Sequence, residues 1–272
     1  MHSRGVLYVA TGEQYLNEAV ISAQSVKACM PQMHITVFTD QPGINSACFD
    51  EIGIIENPQY SYIDKIQPLK KSPYERTLFL DSDTYICDPC EELFELLDRF
   101  DLAAAHDTWR LGYSVPNCPD SFIEFNTGVI LYQQNQKFKK FIDRWHLDYK
   151  NQLKKDMTVS NDQSAFRKAL YNSSLSLYVL PSEYNYTIWF PGFVGACGKV
   201  KILHGRNNRF IQTANWINAS PEARVFIPST AFLNKSSFNI LSPRGQLLIR
   251  GFSKVISAKK KIRSLSRFRK SE

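Results

Sequence analysis

Apolar and polar positions fall into blocks along the chain, and the period changes from block to block. "GVLYVA" (5–10) is an unbroken apolar run of strand length, while "EQYLNEAVISAQSVKAC" (13–29) spaces its apolar residues three and four apart, as a helix with one buried face does. "HITVFTD" (34–40) predicts a second strand, "YIDKIQPLKKS" (62–72) a helix and "TLFL" (77–80) a third strand. "CEELFELLDRF" (90–100) predicts a helix, and "DLAAAH" (101–106) and "FIEFNTGVILY" (122–132) predict strands. "QKFKKFIDRWHLDYKNQLKK" (136–155) predicts a long helix with its aromatic residues on one side, and "DQSAFRKALYNS" (162–173) a second one. "LSLYVLP" (175–181) and "KVKILHG" (199–205) read as the last strands, the final one stopping at His204 and Gly205. This alternation predicts an α/β fold with a mostly parallel sheet flanked by helices on both faces.

In such sheets ligands bind where strands end at their carboxyl side. Polar residues gather at those ends: Thr11 and Gly12 after the first strand, Asp81 and Asp83 after the third, His204 after the last. In "LFLDSDT" an apolar strand runs into two carboxylates one residue apart. If the strand stays extended, Asp81 and Asp83 point the same way and repel unless a cation or hydrogen-bond donors lie between them.

Length and composition are consistent with one large α/β domain: 272 residues, 43% of them hydrophobic. The formal net charge of +7 is unevenly spread. Residues 250–272 hold nine of the 33 basic residues and one acid, Glu272, leaving 24 basic against 25 acidic residues elsewhere. A neutral body argues against a broad nucleic-acid footprint. No apolar run reaches the roughly 18 residues of a membrane span, and "GVLYVA" is too short for a signal-peptide core, which points to the cytoplasm. The sequons at Asn172, Asn185, Asn218 and Asn234 are then coincidental. Of the six cysteines (Cys29, Cys48, Cys87, Cys90, Cys118, Cys197), only "CDPC" at 87–90 has motif spacing. No second Cys/His pair accompanies it for zinc, so the cysteines read as reduced and structural.

Two aspartates and a histidine from a distant strand form a hard-oxygen and imidazole set suited to Mn²⁺ or Mg²⁺, with open positions for phosphate oxygens. "LFLDSDTYI", "FNTGVILY", "NDQSAF" and "ILHG", in this order after "ATGEQY", resemble the GT-A glycosyltransferases, in particular the retaining group typified by glycogenin and the bacterial galactosyltransferases. The resemblance covers roughly residues 5–210. It implies a GT-A, Rossmann-like catalytic domain over 1–215, followed by an irregular or helical extension over 216–249 and the basic tail over 250–272.

The resemblance also implies site roles. Asp81, Asp83 and His204 match the family's metal ligands. Ala10, Thr11 and Tyr15 fall where uridine is cradled, with the tyrosine ring against the base. Lys65 falls near the donor sugar and diphosphate, Ser82 lies between the metal aspartates, and Asn126 and Thr127 match a polar turn facing the sugar. Asp162 and Gln163 match the pair nearest the reacting carbon. The implied reaction is metal-dependent transfer of a hexose from a UDP-sugar, with retention, to a saccharide or lipid-linked acceptor. One departure stands out: after His204 and Gly205 the family often has a diphosphate-gripping lysine, where this chain reads "HGRNNRF". Arg206 or Arg209 can take that part, since a guanidinium forks onto phosphate.

Plainer readings exist for each residue. Asp83 with Thr84 can be a strand-end turn, His204 a hydrogen-bonded structural histidine, Asn126 a cap on a bend, and Asp162 a helix N-terminal acid. Trp189 and Phe190 can stack on an acceptor sugar or fill the core. "LFLDSDT" also resembles the haloacid-dehalogenase phosphatases, although Thr84 comes one place too early for their Asp-x-Asp-x-Thr. In the tail, Leu248, Phe252, Val255, Ile256, Ile262 and Leu265 fall near one helical face among lysines and arginines, a pattern suited to an anionic membrane surface. A non-catalytic membrane-surface binding protein is therefore a third reading.

Overall fold

The computed structural model describes residues 2–43, 47–107, 115–156, 161–188, 194–196, 198–206, 210–219 and 224–226. Arg209, Trp189, Phe190, Cys197 and the tail over 250–272 lie outside the described residues.

In chain order the elements are β1 (His2–Ala10), α1 (Glu13–Cys29), β2 (Ile35–Thr39), β3 (Glu51–Ile54), α2 (Ile63–Ile66), β4 (Tyr74–Leu80), β5 (Thr84–Ile86), β6 (Leu102–His106) and β7 (Phe125–Gln133). Then come α3 (Gln136–Lys155), α4 (Gln163–Tyr171), β8 (Leu177–Leu180), β9 (Tyr186–Thr187), β10 (Val194–Ala196), β11 (Ile202–His204), α5 (Phe210–Ile217) and β12 (Arg224–Phe226). Seven strands form one sheet in the order β3-β2-β1-β4-β7-β6-β8. All neighbours pair in parallel except β7, which runs antiparallel to both β4 and β6. That reversal brings the amino end of β7, with Asn126 and Thr127, to the edge where β1, β4 and β6 end.

Strand alternation divides the core into two layers. Val6, Tyr8 and Ala10 of β1 pack with Leu78 and Leu80 of β4 against α1, while Leu7 and Phe79 pack with the aromatic face of α3. That face is Phe138, Phe141, Ile142, Trp145 and Tyr149, with Trp145 edge-on to Phe166 of α4 at 4.9 Å. Asn135 caps α3, its side chain accepting from the Phe138 N–H at 2.9 Å.

The structure departs from the sequence reading in five places. His204 does not close the main sheet: β11 sits in a separate three-stranded sheet, antiparallel to β5 and parallel to β9. Residues 91–98 form 3-10 turns, not an α-helix, and the predicted helix 62–72 is one α turn followed by a 3-10 segment over 67–71. Pro68 suits the first turn of that segment but cannot donate to continue a helix. Strand β3, "EIGI", escaped the sequence reading because three of its four residues are exposed and it shows no period. Finally, Asp81 to Thr84 is a turn, not extended chain: the Thr84 N–H and its hydroxyl both donate to the Asp81 carbonyl, at 3.2 and 2.8 Å.

The described cysteines Cys29, Cys48, Cys87, Cys90 and Cys118 are thiols, none joined to another in a disulfide. Burial pushes the Cys87 thiol up to about 12 and raises Cys90 as well, the reverse of the lowered value that a reactive thiol needs.

Candidate active site

A cavity of about 550 Å³ opens at the carboxyl edge of the main sheet. Its lining includes Thr11, Tyr15, Lys65, Ser82, Asn126, Thr127, Asp162, Gln163, His204 and Arg206 together with Asp81 and Asp83. Ala10 is not among the lining residues: strand alternation turns its side chain into the α1 core, and Val9 faces the cavity instead. Gly205 is likewise not among the lining residues: it is buried between His204 and Arg206 with φ of 125°, a left-handed conformation that glycine adopts without strain, and its N–H donates to the Asp83 carbonyl at 2.9 Å.

The two aspartates and the histidine do converge. One ligand atom from each of Asp81, Asp83 and His204 lies within 4.8 Å of the other two. His204 Nε2 is 3.4 Å from Asp83 Oδ1 and 4.0 Å from Asp81 Oδ2. Convergence comes from the turn at Asp81–Thr84 and from β11 pairing with β5 immediately after it. Asp83 and His204 are buried. Burial works against the Asp83 carboxylate, yet the His204 ring and the Arg206 guanidinium outweigh it and hold the group near 2.

Lys65 sits behind Asp81. Its ammonium is 3.4 Å from Asp81 Oδ1 and 3.5 Å from Asp162 Oδ2, and it donates to Thr127 Oγ1 at 3.2 Å. Burial disfavours this cation, but the Asp162 and Asp81 carboxylates more than offset that and raise its affinity for the proton. Asp162 precedes α4 without capping it. Its Oδ1 accepts from Thr127 Oγ1 at 3.0 Å, and Oδ2 is a buried oxygen with no hydrogen-bond partner among the described residues. Trp145 of α3 fixes the Asp162 backbone by donating to its carbonyl at 3.2 Å.

Arg206 lies across the opening. It makes a two-pronged contact with Glu18, at 3.0 and 3.2 Å, approaches Asp83 Oδ2 at 3.6 Å and stands 5.1 Å from the centre of the Tyr15 ring. Ser82 donates to the same Glu18 at 3.0 Å.

Sequence reasoning missed Asp107, which follows β6 and accepts from Gln163 Nε2 at 2.8 Å and Asn126 Nδ2 at 3.3 Å. It also missed Asp64, which accepts from Thr11 Oγ1 at 3.1 Å, and Tyr60, which donates to Asp40 at 3.2 Å while Asp40 accepts from the Gly12 N–H at 2.8 Å. Asp107 alone had a sequence signal, as the first carboxylate past a strand end.

Among the described residues, five aspartates and two permanent cations line the cavity. A divalent ion bound by Asp81, Asp83 and His204 fits this deficit: two hard carboxylates and an imidazole converge where positive charge is short.

This fold, a mostly parallel sheet with a reversed β7 and a short second sheet carrying His204, is the GT-A fold that solved glycosyltransferase structures share. Among solved structures, that of the glycosyltransferase GlyE of Streptococcus pneumoniae TIGR4 is similar over 76% of this chain and 56% of its own, with TM-score 0.54 and 17% identity. The galactosyltransferase LgtC, solved in complex with donor and acceptor sugar analogues, is similar over 80% of this chain and 98% of its own, with TM-score 0.54 and 18% identity. The chain thus spans just over half the length of GlyE. No protein-family model and no curated protein sequence matches it.

Proposed function

We propose that this chain is a metal-dependent glycosyltransferase that moves a hexose from a UDP-sugar to a saccharide or lipid-linked acceptor, with retention. The observation that carries the reading is the convergence of Asp81, Asp83 and His204 in a cavity that also gathers Lys65, Asp162 and Gln163. Mn²⁺ or Mg²⁺ held there supplies positive charge against the diphosphate of the donor.

The chain's own residues then divide the work. Arg206 is long enough to leave Glu18 and grip a diphosphate, and Arg209 is the alternative from the sequence. Thr11 and Tyr15 receive the uridine. Lys65, kept cationic by two carboxylates, and Thr127 bound the donor-sugar end of the cavity. Asp162 Oδ2, buried and facing the Lys65 ammonium at 3.5 Å without a hydrogen bond from any described residue, suits a sugar hydroxyl. Gln163 and Asn126, both tied to Asp107, are too well hydrogen-bonded and too weakly nucleophilic for a covalent role. They present amide dipoles to charge that develops on the sugar. In the retaining reaction the anomeric carbon–oxygen bond breaks with its electron pair leaving on UDP. The acceptor oxygen bonds on the same face, and its proton passes to the departing phosphate oxygen.

The GT-A fold favours this reading over the phosphatase alternative, as the solved structures that share it are glycosyltransferases. No helix among the described residues is long and apolar enough to cross a membrane. Peripheral docking of the basic tail to the cytoplasmic membrane face completes the proposal.

Calorimetric titration of UDP with Mn²⁺ and with EDTA tests it. Binding is expected only with the metal, and Asp83→Ala should abolish it while leaving the unfolding transition cooperative. Equal binding by that variant would sink the metal assignment, and no binding of UDP in either condition would sink the donor.

A further inference from the structure

His204 Nδ1 lies 2.8 Å from Asn185 Oδ1, and both side chains are buried. Which ring nitrogen carries the proton is set by what that partner offers. Here the answer follows from the backbone. The Gly128 N–H, which can only donate, reaches Asn126 Oδ1 at 2.9 Å. That contact fixes which end of the Asn126 amide is oxygen. The same oxygen faces the Asn185 amide at 2.9 Å, so Asn185 turns its NH₂ group to Asn126. Its carbonyl is then left for His204, and Nδ1 must be the donor.

The consequence falls at Nε2. With Nδ1 committed to Asn185, Nε2 is the ring nitrogen that faces the carboxylates, 3.4 Å from Asp83 Oδ1 and 4.0 Å from Asp81 Oδ2. Two carboxylate oxygens and this nitrogen thus converge on one point, where a divalent cation can take the place of a proton on Nε2. Gly128 also holds the ring in place from its other side: a Cβ at that position would stand 2.0 Å from His204 Cε1. We infer that Asn185 is a positioning residue that locks His204 as its Nδ1–H tautomer and so turns Nε2 into a preformed metal ligand.

This rests on the metal-dependent reading above, and nothing in sequence spacing suggested it. Asn185 stands 19 residues before His204 and meets it only because β9 pairs in parallel with β11. An equivalent device is common around protein metals, where the ring nitrogen that does not touch the ion is held by an oxygen acceptor.

Two readouts test the inference. Long-range ¹⁵N–¹H correlation spectra of the metal-free protein report the tautomer directly, with the His204 signals assigned by their loss in His204→Ala. The Nδ1–H form is expected in the wild type. Its presence or absence there decides the first half of the inference without any variant at Asn185. Mn²⁺ affinity, read from the free-ion electron paramagnetic resonance signal, should fall about 10- to 100-fold in Asn185→Leu. In Asn185→Asp, which keeps an oxygen against Nδ1, most of that affinity should return. An Nε2–H tautomer in the wild type, or Mn²⁺ affinity in Asn185→Leu within about twofold of wild type, would overturn the role of Asn185. Failure of the wild type to bind Mn²⁺ while showing the Nδ1–H form would instead overturn the metal reading beneath it.

Discussion

Lys65 shows how a single residue ties stability to the site. It is buried, and among the described residues Asp81 and Asp162 balance its charge. Lys65→Met keeps the length and removes the cation, leaving two carboxylates facing each other without one. Breaking a buried pair in this way costs about 3–5 kcal/mol, so chemical denaturation should show a loss of that order. An unchanged midpoint would mean that the carboxylates are compensated elsewhere. The sequence indicated the neighbourhood of Lys65 through resemblance, but not its pairing with Asp162, which lies 97 positions away in the chain. Asp162 itself read equally well as a helix-terminal acid, and its carboxylate ignores the helix to bind Thr127. Spacing along a chain cannot reveal that choice, because both readings place an acid at the same position.

At the scale of elements, Asp101 plays the corresponding part away from the cavity. Its carboxylate accepts from the Ser176 N–H and hydroxyl, both at 2.9 Å, and from Asn135 Nδ2 at 2.9 Å, with Lys137 at 3.2 Å. One side chain thus joins the starts of β6, β8 and α3. Burial raises its proton affinity, but these donors outweigh burial and hold the carboxyl below its ordinary value. A lowered folded-state value means stability that is present above the unfolded pKa of about 3.9 and lost as pH falls through the folded one. Asp101→Asn should therefore cost about 1–2 kcal/mol at pH 7, and thermal melts should show the gap to wild type closing below about pH 4. A gap that persists in acid would assign the loss to packing. Long elements were legible in advance: α1 and α3 match their apolar periods over their full lengths. Short ones were not. The three residues of β5 hold too few positions to show a period and become a strand by pairing with β11; β11 lies within the strand predicted over 199–205, but its place in a separate sheet with β5 and β9 was not legible.

For the whole molecule, charge separates into a nearly neutral body and a basic tail. Removing residues 250–272 should abolish binding to phosphatidylserine vesicles, since each basic residue near such a surface contributes about 1 kcal/mol, and should leave metal-dependent UDP binding intact. Retained vesicle binding in co-sedimentation would place the membrane contact on the body. What the sequence determined by itself is what local periodicity and residue chemistry can carry: the α/β class, the two long helices, and most of the polar residues that line the candidate site. The tertiary structure alone decided how those residues meet. It reversed β7 so that Asn126 and Thr127 reach the edge where β4 ends. It moved His204 out of the main sheet and onto β5, and it folded the two aspartates into a turn. Each of these depends on pairing between strands distant in the chain, and such pairing is selected by the packing of the whole core, to which no short stretch of sequence has access.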